Sequence, residues 1–330
     1  MKAIVVRANG QKYQLEFSEV SDPVLKPGHC LVRIKAAALN RRDYWISVGK
    51  YPGIKDGVVL GSDGCGEVIA GEPAWMGKTV LINPNINWGD NPEHQSSQYS
   101  ILGTPENGTF AEYLMVPTDR LIEKPYYLSD TEAAAFPLAA LTAYRAVFRK
   151  ANVQRNQKVL VTGVGGGVSQ FACAFALAVG AEVYVTSSSD DKLTRMMRMG
   201  ASGGFNYTDA GWVKEAGGKV NKFDAIIDSA GGNAINDYLR LIQPGGRIVV
   251  YGSTTGKTEG LDLFRLFWSQ ASIVGSTMGN DEEFASMVDF ITSHQIKPIV
   301  DSVHPFAEGV EAIRQTGSSS QFGKVVLEMI

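Results

Sequence analysis

The chain has 330 residues, 44% of them hydrophobic and 20% charged, with a net charge of -3. That length can hold two domains with substantial cores. The charge excludes a basic field for nucleic acid or an anionic membrane surface, and no apolar run approaches the ~18 residues of a membrane span. Cys30, Cys65 and Cys173 are few and unclustered. They fit a reducing cytoplasm and give neither a disulfide frame nor zinc-ligand spacing.

In chain order, residues 1–7 (MKAIVVR) read as a strand, without the apolar core of a signal peptide. Residues 31–35, 79–82 and 110–116 are further β-branched runs, with Pro27-Gly28 and Pro52-Gly53 punctuating the gaps. Residues 1–125 therefore read as a compact, mostly β domain. Residues 83–107 are loop-like, yet Trp88, Tyr99, Ile101 and Leu102 predict that this stretch is packed. From Asp130 the pattern turns helical, over 131–136 and 138–148.

Residues 158–162 (KVLVT) then form a short apolar strand followed by GVGGGVS at 163–169. A helix over 170–179 stops at Gly180, and 182–186 (EVYVT) read as a second strand. Strand, glycine turn, helix and strand fit within about thirty residues, the size of a dinucleotide-binding unit. Glycines let the backbone approach a pyrophosphate, and the helix N-terminus faces it with free N–H groups. Gly163, Gly166, Gly167 and Val168 are the expected phosphate contacts. Ser169 stands where the last glycine of such a turn is expected.

An acidic residue at the end of the second strand would bind the ribose 2′-hydroxyl of NAD. The chain has Thr186, Ser187, Ser188 and Ser189 there, followed by Lys192 and Arg195. Hydroxyls and a cation suit a 2′-phosphate, which favours NADP(H). The opposing reading makes the serines a helix N-cap, and Asp190 and Asp191 weigh on that side.

Further on, 223–228, 247–252 and 272–276 read as strands of a parallel sheet, with a helix over 236–242 between the first two. An amphipathic helix follows at 282–294, and 322–327 read as a strand returning to the first domain. The expected division is 1–125 with about 280–330 as one domain, and 126–279 as the nucleotide-binding domain. Gly252, Ser276 and Met278 complete the expected cofactor contacts, with Thr142 at a helix start touching nicotinamide.

Five segments together carry a family likeness: ALNRRD at 38–43, LGSDGCG at 60–66, GTFAEY at 108–113, PLAALTAY at 137–144 and GGRIV at 245–249. With the glycine turn, they resemble the medium-chain dehydrogenase/reductase superfamily over nearly the whole chain. The resemblance implies an α/β fold: a GroES-like β-barrel domain plus a Rossmann domain with a doubly wound parallel sheet. In zinc enzymes of that superfamily a Cys, a His and a Cys hold catalytic zinc. The matching positions here are Asn40, Ser62 and Leu138, a poor donor set. The lobe matching 87–103 lacks the cysteines of a second, structural zinc. No zinc is expected at either place.

The resemblance is nearer to the zinc-free branch of quinone oxidoreductases and enone reductases. Asn40 and Asp43 match its N-x-x-D segment, and Tyr51 matches a substrate-pocket tyrosine. Lys192 and Tyr207 match positions that bind the 2′-phosphate and adenosine. The implied function is zinc-independent, NADPH-dependent hydride transfer to quinones or α,β-unsaturated carbonyls in the cleft between the domains. Asn40, Tyr51 or Ser62 would face developing oxyanion charge, and Tyr51, Ser62 or water would deliver a proton. Asp43 reads either as a base or as a local backbone anchor. The alternatives are a metal-free alcohol or aldehyde dehydrogenase and a non-catalytic NADPH-binding protein. The expected partners are a small carbonyl or quinone substrate and a second copy, paired through the Rossmann sheet edge.

Overall fold

A computed structural model describes residues 1–10, 12–318 and 320–329. Contacts gather the chain into two units, Met1–Leu141 with Gly279–Ile330, and Thr142–Met278. The helix Asp130–Ala134, assigned from the sequence to the nucleotide-binding domain, instead belongs to the first unit. The reason is packing: it lies on strands His29–Ala38 and Asp63–Ala70, and Lys124 Nζ donates to Asp130 Oδ1 at 2.7 Å. The division falls within the helix Pro137–Tyr144.

The first unit is built on a seven-stranded, mostly antiparallel sheet. Its path runs Val300–Pro305, Lys324–Glu328, His29–Ala38, Asp63–Ala70, Thr79–Ile82 and Leu121–Glu123, with Tyr113–Pro117 also paired to His29–Ala38. Alternation along His29–Ala38 turns Cys30, Val32, Ile34 and Ala36 inward. They join Ile4, Leu60, Val80, Ile82 and Phe110 in the core. Each large side chain enclosed there contributes about 1.5–3 kcal/mol. The late strand Lys324–Glu328 pairs antiparallel with His29–Ala38, with Val326 opposite Ala38. That register brings Lys324 to the residues just after Ala38. The stretch 83–107 is packed as expected: Trp88 and Leu102 are buried, and Trp88 meets Tyr99 edge-on at 5.2 Å.

The second unit holds a six-stranded sheet, all parallel, in the order Gly203–Asn206, Glu182–Ser187, Lys158–Val161, Phe223–Asp228, Ile242–Val250 and Ser272–Gly275. In chain order this is 3-2-1-4-5-6, the doubly wound order that reverses direction beside the first strand. Its central strands are β-branched and enclosed, as a parallel sheet covered on both faces requires. Gly252, read from the sequence as a strand end, lies two residues beyond Val250. No helix among the described residues is long and apolar enough to cross a membrane.

Candidate functional site

In the first unit the helix Arg41–Ser47 begins at Asn40, whose backbone is extended. The Asp43 carboxylate accepts the Asn40 N–H at 2.7 Å, and the Asn40 carbonyl accepts the Asp43 N–H at 3.0 Å. Asp43 is thus a helix anchor. It is fully enclosed, and among the described residues its Oδ1 has no partner. Burial pushes its carboxyl up to about 6, against the pull of Arg42 and the Asn40 N–H.

The Asn40 amide is tied at both ends. Its Nδ2 donates to Asp63 Oδ2 at 2.9 Å, and its Oδ1 accepts from Lys324 Nζ at 2.6 Å. Lys324 also reaches Asp63 Oδ2 at 2.9 Å, and the backbone N–H of Leu138 donates to Asp63 Oδ1 at 2.7 Å. Asp63 is completely buried and Lys324 is 4% exposed, so this pair is compensated within the protein.

Ser62 is a candidate proton donor whose other reading is a bond to the local backbone, and its surroundings agree with the backbone bond. Its hydroxyl donates to the Leu102 carbonyl at 2.7 Å and accepts from Arg42 Nη1 at 2.6 Å, and the residue is fully enclosed. Its single proton is therefore committed to the backbone. Close passage of three chain segments holds this arrangement: a Cβ on Gly108 would lie 1.8 Å from the Gly61 carbonyl oxygen. Tyr51 is half-buried. Its hydroxyl accepts from Arg42 Nε at 3.3 Å, and the guanidinium sits 4.9 Å from its ring centre.

The four candidates thus fall into two groups, Asn40 and Asp43 with Asp63 and Lys324, and Ser62 and Tyr51 on Arg42; Arg42, Asp63 and Lys324 are residues the sequence reading did not single out. Arg42 and Asp63 lay inside the quoted motifs. For Lys324 the available signal was a lysine opening an otherwise apolar strand, KVVLE. The positions of zinc ligands do not fit zinc. Leu138 offers only its backbone, Ser62 is held by Arg42 and Leu102, and the Asn40 oxygen is occupied by an ammonium group.

In the second unit the strand Lys158–Val161 leads into Gly163, whose φ of +65° suits glycine. Gly166 caps the helix Gly167–Ala178 with extended backbone and no side-chain cap, so the first-turn N–H groups at Gly167 and Val168 are available to an anion. Ser169 replaces a glycine with a consequence the sequence did not show. Its hydroxyl lies 2.8 Å from the Gly163 carbonyl and 3.0 Å from that of Gly166, fastening the turn from inside. Beneath it, buried Asp228 accepts from Thr162 Oγ1 at 2.7 Å, Tyr238 OH at 2.8 Å and the Gly231 N–H at 2.7 Å.

The serines divide their work. Ser189 caps the helix Asp190–Arg198, and Ser187 Oγ accepts the Ser189 N–H at 3.1 Å. Ser188 is exposed and makes no hydrogen bond among the described residues. The Tyr207 N–H donates to the Ser187 carbonyl at 3.1 Å, which fixes that exposed tyrosine at the same strand end. Asp190 is engaged by Asn206 Nδ2 at 2.9 Å. Elsewhere in the unit, Thr142 Oγ1 meets Met278 Sδ at 3.7 Å, and both residues are buried. Gly252 passes so close to Ser229 that a Cβ would lie 2.6 Å from its carbonyl oxygen. The Ser276 hydroxyl is enclosed and has no partner among the described residues. A glycine cradle, an uncapped helix start and an orphaned hydroxyl fit a dinucleotide.

Two family profiles match the chain: the alcohol dehydrogenase GroES-like domain over residues 26–126 and the zinc-binding dehydrogenase over residues 167–293. The zinc-type alcohol dehydrogenase-like protein YogA of Leptosphaeria maculans is 35% identical over 96% of this chain and 95% of its own. The quinone oxidoreductase of Mus musculus is 28% identical over 99% of this chain and 97% of its own. The crystal structure of an NAD-dependent alcohol dehydrogenase matches with a TM-score of 0.93 at 35% identity, covering 100% of both chains. Sequence, strand order and these likenesses agree: the chain belongs to the medium-chain dehydrogenase/reductase superfamily of oxidoreductases.

Proposed function

We propose that the protein is a zinc-independent, NADPH-dependent reductase of quinones or α,β-unsaturated carbonyls. One observation carries this reading: the positions of catalytic zinc ligands are held in a web of hydrogen bonds and an ion pair that contains its own cations. A Lewis acid helps most with a simple alcohol or aldehyde, whereas a conjugated carbonyl or a quinone is already activated. The similarity to a quinone oxidoreductase points the same way.

On this reading Gly163, Gly166, Gly167 and Val168 hold the pyrophosphate, and Ser187, Ser188, Lys192 and Tyr207 surround the 2′-phosphate. Thr142, Gly252, Ser276 and Met278 position the nicotinamide. Bound there, NADPH supplies a hydride. Among the residues expected near substrate, Tyr51 keeps an uncommitted hydroxyl proton, Asn40 orients Lys324 and Asp63, and Asp43 holds the helix that carries Arg42.

The test is a chelator-treated protein titrated with NADPH and NADH by nicotinamide fluorescence, followed by a panel of quinones and enones. Tighter NADPH binding and chelator-resistant turnover are expected. No turnover across the panel would sink the reductase reading. The 35% identity to an NAD-dependent alcohol dehydrogenase favours a second reading, alcohol oxidation without metal. It predicts alcohol-dependent reduction of NAD or NADP that survives chelation.

The strand Ser272–Gly275 forms the exposed edge of the six-stranded sheet, beside a helix presenting Phe264, Phe267 and Trp268. Unpaired edge groups next to apolar rings support a homodimer through that edge. Three unpaired, buried cysteines support a reducing, cytoplasmic setting.

A further inference from the structure

We propose that Arg42 and the Tyr51 hydroxyl form an oxyanion-binding site for the substrate's carbonyl oxygen, the guanidinium supplying the positive charge that a metal ion supplies in a zinc enzyme. This rests on the reductase reading.

The Arg42 guanidinium makes no direct contact with an anion among the described residues. Arg42 is 7% exposed, and all its acceptors are neutral: Ser62 Oγ and the Leu102 carbonyl at Nη1, each at 2.6 Å, and the Tyr51 hydroxyl at Nε. Among the described residues no carboxylate lies within ion-pair distance of it, and Nη2 donates to nothing. A guanidinium cannot shed its proton, and Asp43, which Arg42 pulls on through space, makes no hydrogen bond to it, so the guanidinium keeps a donor for a second anion. The neighbouring buried cation, Lys324, has the opposite arrangement and touches Asp63 directly. Asp43, next to Arg42 in sequence, turns one oxygen to the Asn40 N–H and leaves the other unpartnered rather than pairing with the guanidinium.

The same contacts make the charge rigid. Two acceptors clamp Nη1, and Nε is fixed against Tyr51, so the plane of the guanidinium is set before any ligand arrives. A donor fixed in advance is what stabilises charge that develops only during reaction. Two donors remain, Nη2 of Arg42 and the O–H of Tyr51, whose oxygen already accepts from Nε.

In the step we assign, hydride adds to the β-carbon of a conjugated carbonyl and forms a C–H bond. The C=C pair shifts to make an enolate, the charge settles on oxygen facing Arg42, and the Tyr51 proton moves to that oxygen. Water reprotonates Tyr51, and the enol rearranges to the saturated carbonyl. The substrate gains two electrons and two hydrogens, and the nicotinamide loses the hydride. A quinone follows the same balance to hydroquinone.

The experiment compares wild type with Arg42→Gln, which keeps a donor for Ser62 and Leu102, Arg42→Lys, which keeps the charge, and Tyr51→Phe. The readouts are NADPH affinity, kcat and KM on cyclohexenone and para-benzoquinone, and the absorbance of bound para-nitrophenol, an enolate mimic. Arg42→Gln should lower kcat/KM by about 10²–10³, mostly through kcat, with NADPH affinity unchanged. Arg42→Lys should recover part of that loss, and Tyr51→Phe should change the pH profile of kcat. Wild type should hold para-nitrophenol as the phenolate below its solution pKa, and Arg42→Gln should not. A folded Arg42→Gln with wild-type kcat on enones would overturn the site and leave the reductase reading intact. A wild type that binds phenolate through Arg42 yet reduces nothing would do the reverse. If Arg42→Gln does not fold, wild type alone decides: para-nitrophenol bound in its neutral form overturns the proposal.

Discussion

The two candidate centres are made of different material. In the nucleotide-binding unit the site is backbone: a glycine at positive φ, an uncapped helix start and a serine that ties two carbonyls. In the first unit it is side chain: two buried cations, two buried carboxylates, an amide and a phenol, held in two hydrogen-bonded groups drawn from distant parts of the chain. A backbone site is inserted in one continuous segment and tolerates change around it. A side-chain site of buried charges is balanced as a set, so removing one member strands another.

The largest expected effect tests that stranding. Lys324→Met leaves Asp63 fully enclosed and without its cation, a loss of about 3–5 kcal/mol. Asp63→Asn in the same chain should return much of it, because the charge is then gone from both partners. Denaturant unfolding of the two single variants and the double variant measures the coupling. If the single losses simply add, the pair is not energetically joined and the contrast between the centres weakens.

Next in size is a pH effect from Asp43. Burial raises its carboxyl from 3.8 to about 6, so the folded state binds its proton more tightly than the unfolded state does. The stability it contributes is complete below about pH 4 and is lost as pH rises through about 6, roughly 3 kcal/mol in all. Asp43→Asn keeps an acceptor for the Asn40 N–H and removes the titration. Unfolding free energies from pH 4 to 7 should therefore decline more steeply in wild type than in the variant. Parallel curves would mean that Asp43 is not held in the dry setting described.

How far each centre was legible in the sequence follows from the same contrast. The strand, turn, helix and strand around Gly163 lie within one window, and the absence of an acid after Thr186 is a local fact. Ser169 looked like a defect because its partners, the carbonyls of Gly163 and Gly166, are backbone atoms that no motif lists. In the first unit Asn40 and Asp43 were legible as a segment, but what they do was not. Lys324 meets Asp63 across 261 positions, brought there by strand register. For Ser62 the choice between substrate and local backbone stays open in the sequence, because neither Arg42 nor the Leu102 carbonyl is visible from its neighbours. The domain boundary missed the helix Asp130–Ala134 for a related reason, since helical pattern says nothing about which sheet a helix covers.

The smallest expected effect asks whether the backbone site has a side-chain component. Ser188 is the exposed member of the serine run, without hydrogen bonds among the described residues, while Ser187 and Ser189 shape the local turn and cap the next helix. Ser188→Asp therefore adds a carboxylate without removing a structural contact. If a 2′-phosphate sits there, like-charge repulsion should weaken NADPH about tenfold, or about 1.4 kcal/mol, and leave NADH nearly unchanged. Raising the salt concentration should shrink the difference, since an exposed charge pair is screened. Fluorescence titrations of both nucleotides at two ionic strengths measure this. A ratio of affinities that does not move would place the ribose elsewhere and make the serines turn and cap alone, in which case the second unit's site is backbone throughout and the choice between the two nucleotides falls to Lys192 and Tyr207.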